Sequence, residues 1–147
     1  MTRFQFRLER VLAWRRMQLE VEEAKHQQRI AELRQLESER SEMEAAGIRT
    51  EVEVRSWSPL AGCDLEALAR FRRHLAGQEK QLARRSEEAR QRAAAQQKAL
   101  VEARRRCELL ERLKQRRVAE WQAAADREAE QMASEFHLVR QWRRPGD

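Results

Sequence analysis

Three histidines and two cysteines are the side chains of this sequence best suited to hold a metal, and their spacing argues against it. His26, His74 and His137 are scattered, no His-x-x-x-His pair occurs, and no cysteine stands beside any of them. Cys63 and Cys107 lie 44 positions apart, about 65 Å along one helix, whereas a disulfide needs Cα atoms within about 7 Å. The pair predicts free thiols in a reducing compartment. Neighbouring acids such as Glu22 and Glu23, or Glu87 and Glu88, are frequent, but on a solvated surface nothing buries them to shift a pKa. The four glycines are followed by Ile48, Cys63, Gln78 and Asp147, so none sits in a phosphate-binding G-x-x-x-x-G-K frame. The sequence predicts no catalytic residue, no metal site, no cofactor and no small-molecule substrate.

The remaining chemistry is that of arginine. The chain carries 31 basic and 25 acidic residues, a net charge of +6 over 147 residues, and the excess is unevenly placed. From Arg3 to Arg16 five arginines (Arg3, Arg7, Arg10, Arg15, Arg16) meet one acid, Glu9; from Arg104 to Arg117 seven basic residues meet Glu108 and Glu111. Such clusters are either a solvated face balanced by neighbouring glutamates or a docking collar for an acidic or phosphate-bearing partner. Nucleic acid is not the expected partner, because stacking aromatics do not interleave the arginines and tyrosine is absent.

The elements that place these side chains are helical. With 38% charged residues, 5% aromatic residues and four glycines, the composition is that of a long-helix or coiled-coil protein, not of a globular core. From Asp64 to Arg144 there is no proline and one glycine, Gly77, among residues that favour helix. At 1.5 Å per residue such a helix would be on the order of 120 Å long. The strong punctuation lies at residues 57–63, where Pro59 cannot continue a helix and keeps Ser58 out of helical geometry. Asp64 then reads as the N-cap of the second helix. The predicted fold is all-α: one domain over residues 1–147, helix 1 at about 4–56, a turn at 57–63 and helix 2 at about 64–142, paired as an antiparallel coiled-coil hairpin.

Steps of three and four from Leu65 give Leu65, Leu68, Arg72, Leu75, Glu79, Leu82, Ser86, Ala89, Ala93, Gln96, Leu100, Ala103, Cys107 and Leu110, ten of them apolar. Helix 1 is weaker: Leu8, Leu12, Arg15, Leu19, Glu22, His26, Arg29, Leu33, Leu36, Arg40 and Met43 include six apolar residues, with a polar gap from Glu22 to Arg29. Ile48, Thr50, Val52 and Val54 alternate as a strand would, but with no second strand to pair they read as a fraying or bent helix end. Folding about residue 60 makes facing numbers sum to about 120. It sets Arg7 near Leu113 and Arg16 near Arg104, joins the two basic clusters, places Glu37, Glu39, Glu42 and Glu44 opposite Lys80, Arg84 and Arg85, and brings Gly47 close to Gly77. Helix 2 is then the longer arm and overhangs beyond about Ala119, leaving Trp121, Phe136 and Trp142 as a partner surface. No stretch approaches the ~18 apolar residues of a membrane span, and the N-terminus lacks the ~7–15-residue apolar run of a signal peptide. A cytoplasmic chain is expected.

Two stretches carry a family likeness. Phe4-Gln5-Phe6-Arg7-Leu8-Glu9-Arg10-Val11-Leu12 resembles the opening of the flagellar export protein FliJ family, a Phe-x-Leu-x-x-Val-Leu pattern leading into a long charged helix. The run from Leu109 to Trp121, with Leu110-Glu111-Arg112-Leu113-Lys114-Gln115-Arg116-Arg117 at its centre, is similar to that family's distal Leu-Glu-x-Leu-Lys-x-Arg-Arg segment. The resemblance implies a non-enzymatic stalk and adaptor of the type III export apparatus, cytoplasmic and peripheral to the inner face of the membrane. Its implied partners are the export ATPase hexamer, the cytoplasmic domain of the membrane export gate, and export chaperones. On that basis Arg7, Arg10, Arg15, Arg105, Arg106, Arg112, Arg116 and Arg117 are the expected ATPase contacts, and Phe71 and Leu75 the expected gate contacts. A generic coiled-coil scaffold and the equivalent stalk of a virulence-type secretion system are the alternatives.

Overall fold

The computed structural model describes residues 3–143; Arg144, where the proline-free run ends, and the other terminal positions of the expected 1–147 domain lie outside them. The protein is all-helical, with two helices that pack against each other, α1 (Glu9–Ser56) and α2 (Gly62–Trp142), and no strand among the described residues. Residues 3–6 have no regular structure, so α1 starts later than the expected position 4. The Phe6 carbonyl accepts the Glu9 N–H at 3.1 Å and the Leu8 carbonyl accepts that of Leu12 at 2.9 Å. Glu9 in the first turn and Arg55 in the last complement the helix dipole.

The chain leaves α1 at Ser56, before the Ser58–Pro59 peptide, which is cis. α2 starts two residues before Asp64, so Asp64 is not the N-cap expected from the sequence. Ala61 takes that place: its carbonyl accepts the N–H groups of Asp64 and Leu65, and its own N–H donates to Asp64 Oδ2 at 3.0 Å. Asp64 thus supplies the third-position acid of a capping box, which reaches back to the cap.

The chain divides into two compact units, one formed by residues up to Leu19 with those from Ala103 onward, the other by Glu20–Glu102. In the first unit Leu12 is fully buried and Cys107 is 3% exposed. In the second, Leu36, Val54, Ala89, Ala93 and Leu100 are buried, and no polar or charged residue is. This is a thin core, and its spacing is informative. The covered positions of α2 in this unit include Leu68, Phe71, Leu75, Leu82, Ser86, Ala89, Ala93, Gln96 and Leu100, steps of three and four with one of seven.

Leu65, Arg72 and Glu79, which the sequence register placed on that face, are exposed. Arg72 reaches out to Glu51 at 2.8 Å and Glu79 lies 3.8 Å from Arg40, while Phe71 takes the half-covered place beside Arg72. Charged groups gain by staying hydrated at the edge, and an aromatic ring gains by leaving water. The polar gap in α1 is bridged by Gln96, whose amide donates to the Glu22 carbonyl at 3.3 Å and to its carboxylate. Hydrogen bonds from Lys25 and Gln96 hold the Glu22 carboxyl below its ordinary pKa. Ile48 to Val54 continue as helix: Val54 is buried, Thr50 half-buried, Ile48 and Val52 exposed, a helical and not an alternating pattern.

The glycines do not meet. A Cβ placed on Gly47 would stand 3.1 Å from Leu75 Cδ1, whereas one on Gly77 would meet nothing within 4 Å. Glycine inside a helix costs about 0.5–1 kcal/mol relative to alanine, so Gly77→Ala is expected to raise the urea midpoint by that amount of stability. Gly47→Ala is expected to gain less, because the half-buried Leu75 must shift. A lower midpoint for Gly77→Ala would show that the backbone at Gly77 departs from helix in solution.

Candidate partner-binding surfaces

The expected collar residues lie in the unit formed by residues up to Leu19 and from Ala103 onward. Arg10 and Arg15 are on the first turns of α1, Arg7 stands just before it, and Arg105, Arg106, Arg112, Arg116 and Arg117 are on α2. Arg105, Arg112 and Arg116 follow one another by seven and four positions, which puts them on one face.

The acids of this unit nearest the arginines are engaged. Glu9 pairs with Lys114 at 2.7 Å and Glu111 with Arg16 at 3.0 Å, tying α1 to α2. Along α2, Glu108 lies 3.9 Å from Arg112 and Glu120 3.0 Å from Arg117. Arg15 hydrogen-bonds Gln18 at 3.2 Å, and its guanidinium carbon stands 4.6 Å from the Trp14 ring centroid, a cation–π contact. Arg3, Arg7, Arg10, Arg105 and Arg116 form no ion pair among the described residues. The balanced solvated face therefore accounts for only part of the arginines. Arg16, expected at the level of Arg104, meets the Glu111 carboxylate beside Cys107.

In the Glu20–Glu102 unit, Phe71 and Leu75 are half-buried on the packed face of α2, with Leu75 against Gly47. Their exposed parts are what a partner would reach. Of the four acids expected opposite Lys80, Arg84 and Arg85, Glu39 meets Arg85 at 3.6 Å, while Glu44 pairs within α1 with Arg40 at 3.0 Å. Exposed pairs of this kind contribute about 0–1 kcal/mol each and serve mainly to set which residues lie opposite.

Trp121, Phe136 and Trp142 are 36%, 73% and 90% exposed. From 126 to 143 every residue is exposed, although Met132, Leu138 and Val139 are apolar. No group of three His, Cys, Asp or Glu among the described residues could hold a metal, and no described helix is long and apolar enough to cross a membrane.

The sequence placed Arg3 in the N-terminal basic cluster but not among the expected contacts, and it singled out neither phenylalanine of the N-terminal segment as a binding residue. Phe4 stacks at a tilt on Trp121, ring centroids 6.0 Å apart at 55°. The available signal was the pattern Arg3-Phe4-Gln5-Phe6-Arg7, two aromatics bracketed by guanidinium groups. No protein-family model, curated protein or solved structure matches the chain.

Proposed function

We propose that this chain is a non-enzymatic stalk and adaptor of the flagellar type III export apparatus, built as an antiparallel coiled-coil hairpin with α2 as the longer arm. The observation that carries the reading is the set of arginines without an ion-pair partner among the described residues, Arg7, Arg10, Arg105 and Arg116, in the same stretches that resemble the FliJ family. Uncompensated guanidinium groups on solvated helices raise the local potential and steer acidic surfaces towards them. The pairs Glu51 with Arg72, Glu39 with Arg85 and Glu22 with Gln96 in one unit, and Arg16 with Glu111 and Glu9 with Lys114 in the other, support the antiparallel order. In each unit, higher numbers on α2 meet lower numbers on α1. Steps of three and four among the covered residues support the coiled coil.

In this role the collar docks into the export ATPase hexamer, and the exposed edges of Phe71 and Leu75 engage the cytoplasmic domain of the export gate. The apolar side chains of residues 121–142, Trp121, Phe136 and Trp142 among them, are the surface for export chaperones. Such a protein works in the cytoplasm against the inner face of the membrane. Reversing charge at Arg105, Arg112 and Arg116 to glutamate is expected to abolish stimulation of the export ATPase while helicity by circular dichroism is retained. Stimulation undiminished in the folded variant would remove the collar from the mechanism.

A further inference from the structure

Beside residues 3–6, which have no regular structure, the first unit contains a groove of about 960 Å³. Phe4 and Phe6 line it from the N-terminal segment, and Leu113 and Trp121 from α2. Every charged side chain lining it among the described residues is a guanidinium: Arg3, Arg7 and Arg117. No carboxylate of the described residues enters the lining. Arg3 and Arg7 have no ion-pair partner among the described residues, and Arg117 holds only the exposed Glu120 one turn away. The volume falls in the range of about 300–1,000 Å³ usual for ligand sites, and the walls combine apolar side chains with a few polar groups, as such sites do.

We propose that this groove binds an acidic segment of a partner protein that carries a bulky apolar side chain, which enters between the N-terminal aromatics and α2 while its flanking carboxylates meet Arg3, Arg7 and Arg117. Two features argue for this occupant. Two cations without an ion-pair partner among the described residues, Arg3 and Arg7, beside a third held only by an exposed neighbour, Arg117, select anionic partners, and guanidinium–carboxylate hydrogen bonds are the stronger, bidentate kind. The tilted Phe4 and Trp121 rings offer edges and faces to a further aromatic or aliphatic group. Single-stranded nucleic acid would instead call for aromatics open in series, whereas here the rings pack on one another. The exposed pair of Arg117 with Glu120 costs little to exchange for a partner's carboxylate.

The test uses the full chain and a fluorescein-labelled peptide with two central tryptophans flanked by glutamates, read by anisotropy at about 150 mM salt. The glutamate peptide is expected to bind, and its counterpart with lysines in place of glutamates is not. Arg3→Glu combined with Arg7→Glu, and separately Phe4→Ala, are each expected to weaken binding about tenfold or more. All three positions precede α1, so far-ultraviolet circular dichroism should not change. Absence of binding, equal binding of the lysine peptide, tighter binding of a short oligothymidylate, or undiminished binding by the folded variants would overturn the proposal. Arg7 and Arg117 also belong to the collar of the stalk reading. Because the assay contains no ATPase, and Arg3 and Phe4 lie outside that collar, failure of one reading is distinguishable from failure of the other.

Discussion

Leu12→Ala is expected to destabilise the protein by about 2–4 kcal/mol. Among the described residues Leu12 is the largest side chain that is fully buried, and it sits near the start of α1, in a unit whose other buried apolar residue among those described is Cys107. Truncation removes its transfer free energy and leaves a void that two helices of fixed backbone cannot close. The loss is a large part of a total that for most domains is only about 5–15 kcal/mol. The neighbouring Val11, 42% exposed, is the control, and Val11→Ala should change stability by about 0.5 kcal/mol or less. Urea denaturation followed by circular dichroism measures both. Equal effects of the two substitutions would mean that the beginning of α1 is not packed on α2 in solution.

The second large effect is chemical. Cys63 is exposed and Cys107 buried, and burial pushes the Cys107 thiol up, with the Glu111 and Glu108 carboxylates adding to the shift and Arg16 opposing it. The thiolate is the reactive species, so Cys107 is protected twice, by access and by protonation. Ellman's reagent should therefore titrate one thiol quickly and the other on the order of 100-fold more slowly or beyond, at the rate set by local opening of the helices. In Cys63→Ser only the slow phase should remain. A single fast phase for both thiols would contradict the packing of α2 at Cys107.

The sign of the pH dependence follows from the same shift. Folding favours the neutral Cys107 thiol, so its contribution to stability is complete below the ordinary thiol pKa and declines as the pH rises above it towards the raised folded value. The denaturation midpoint of the wild type should fall faster between neutral and alkaline pH than that of Cys107→Ala.

Helix content and the interruption at Pro59 were legible in the sequence because they are local. Propensity acts on each residue, and a proline stops a helix wherever it stands. The spacing of the covered residues, four or seven positions apart, was legible for the same reason along Leu82, Ala89, Ala93, Leu100 and Cys107. Where the seam carries polar residues, the pattern is ambiguous by one position, and local information does not resolve it. Arg72 and Phe71 are adjacent, and which of them turns inward depends on Glu51 standing on α1 to receive the guanidinium. Arg40 and Glu39 show the same ambiguity: Glu39 is half-covered and Arg40 exposed, reaching Glu44 and Glu79. Asp64 was recognisable as a capping residue, but whether it occupies the cap or the third position is settled by the chain entering α2 at Ala61.

The arginine clusters illustrate the limit for function. Counting charges finds an excess in both stretches and does not say which guanidinium groups are already engaged. Glu9 and Glu111 are drawn across to Lys114 and Arg16, leaving Arg7, Arg10, Arg105 and Arg116 without an ion pair among the described residues. The groove at Phe4, Phe6 and Trp121 joins residues more than a hundred positions apart, so neither periodicity nor composition could have announced it. By itself the sequence determined that this protein is two helices broken at Pro59, since backbone preference and steric exclusion are properties of neighbouring residues. Only the tertiary structure decided which face is covered, which charges are spent and where a cavity forms, since these depend on the axial offset and rotation of one helix against the other, which no single helix encodes.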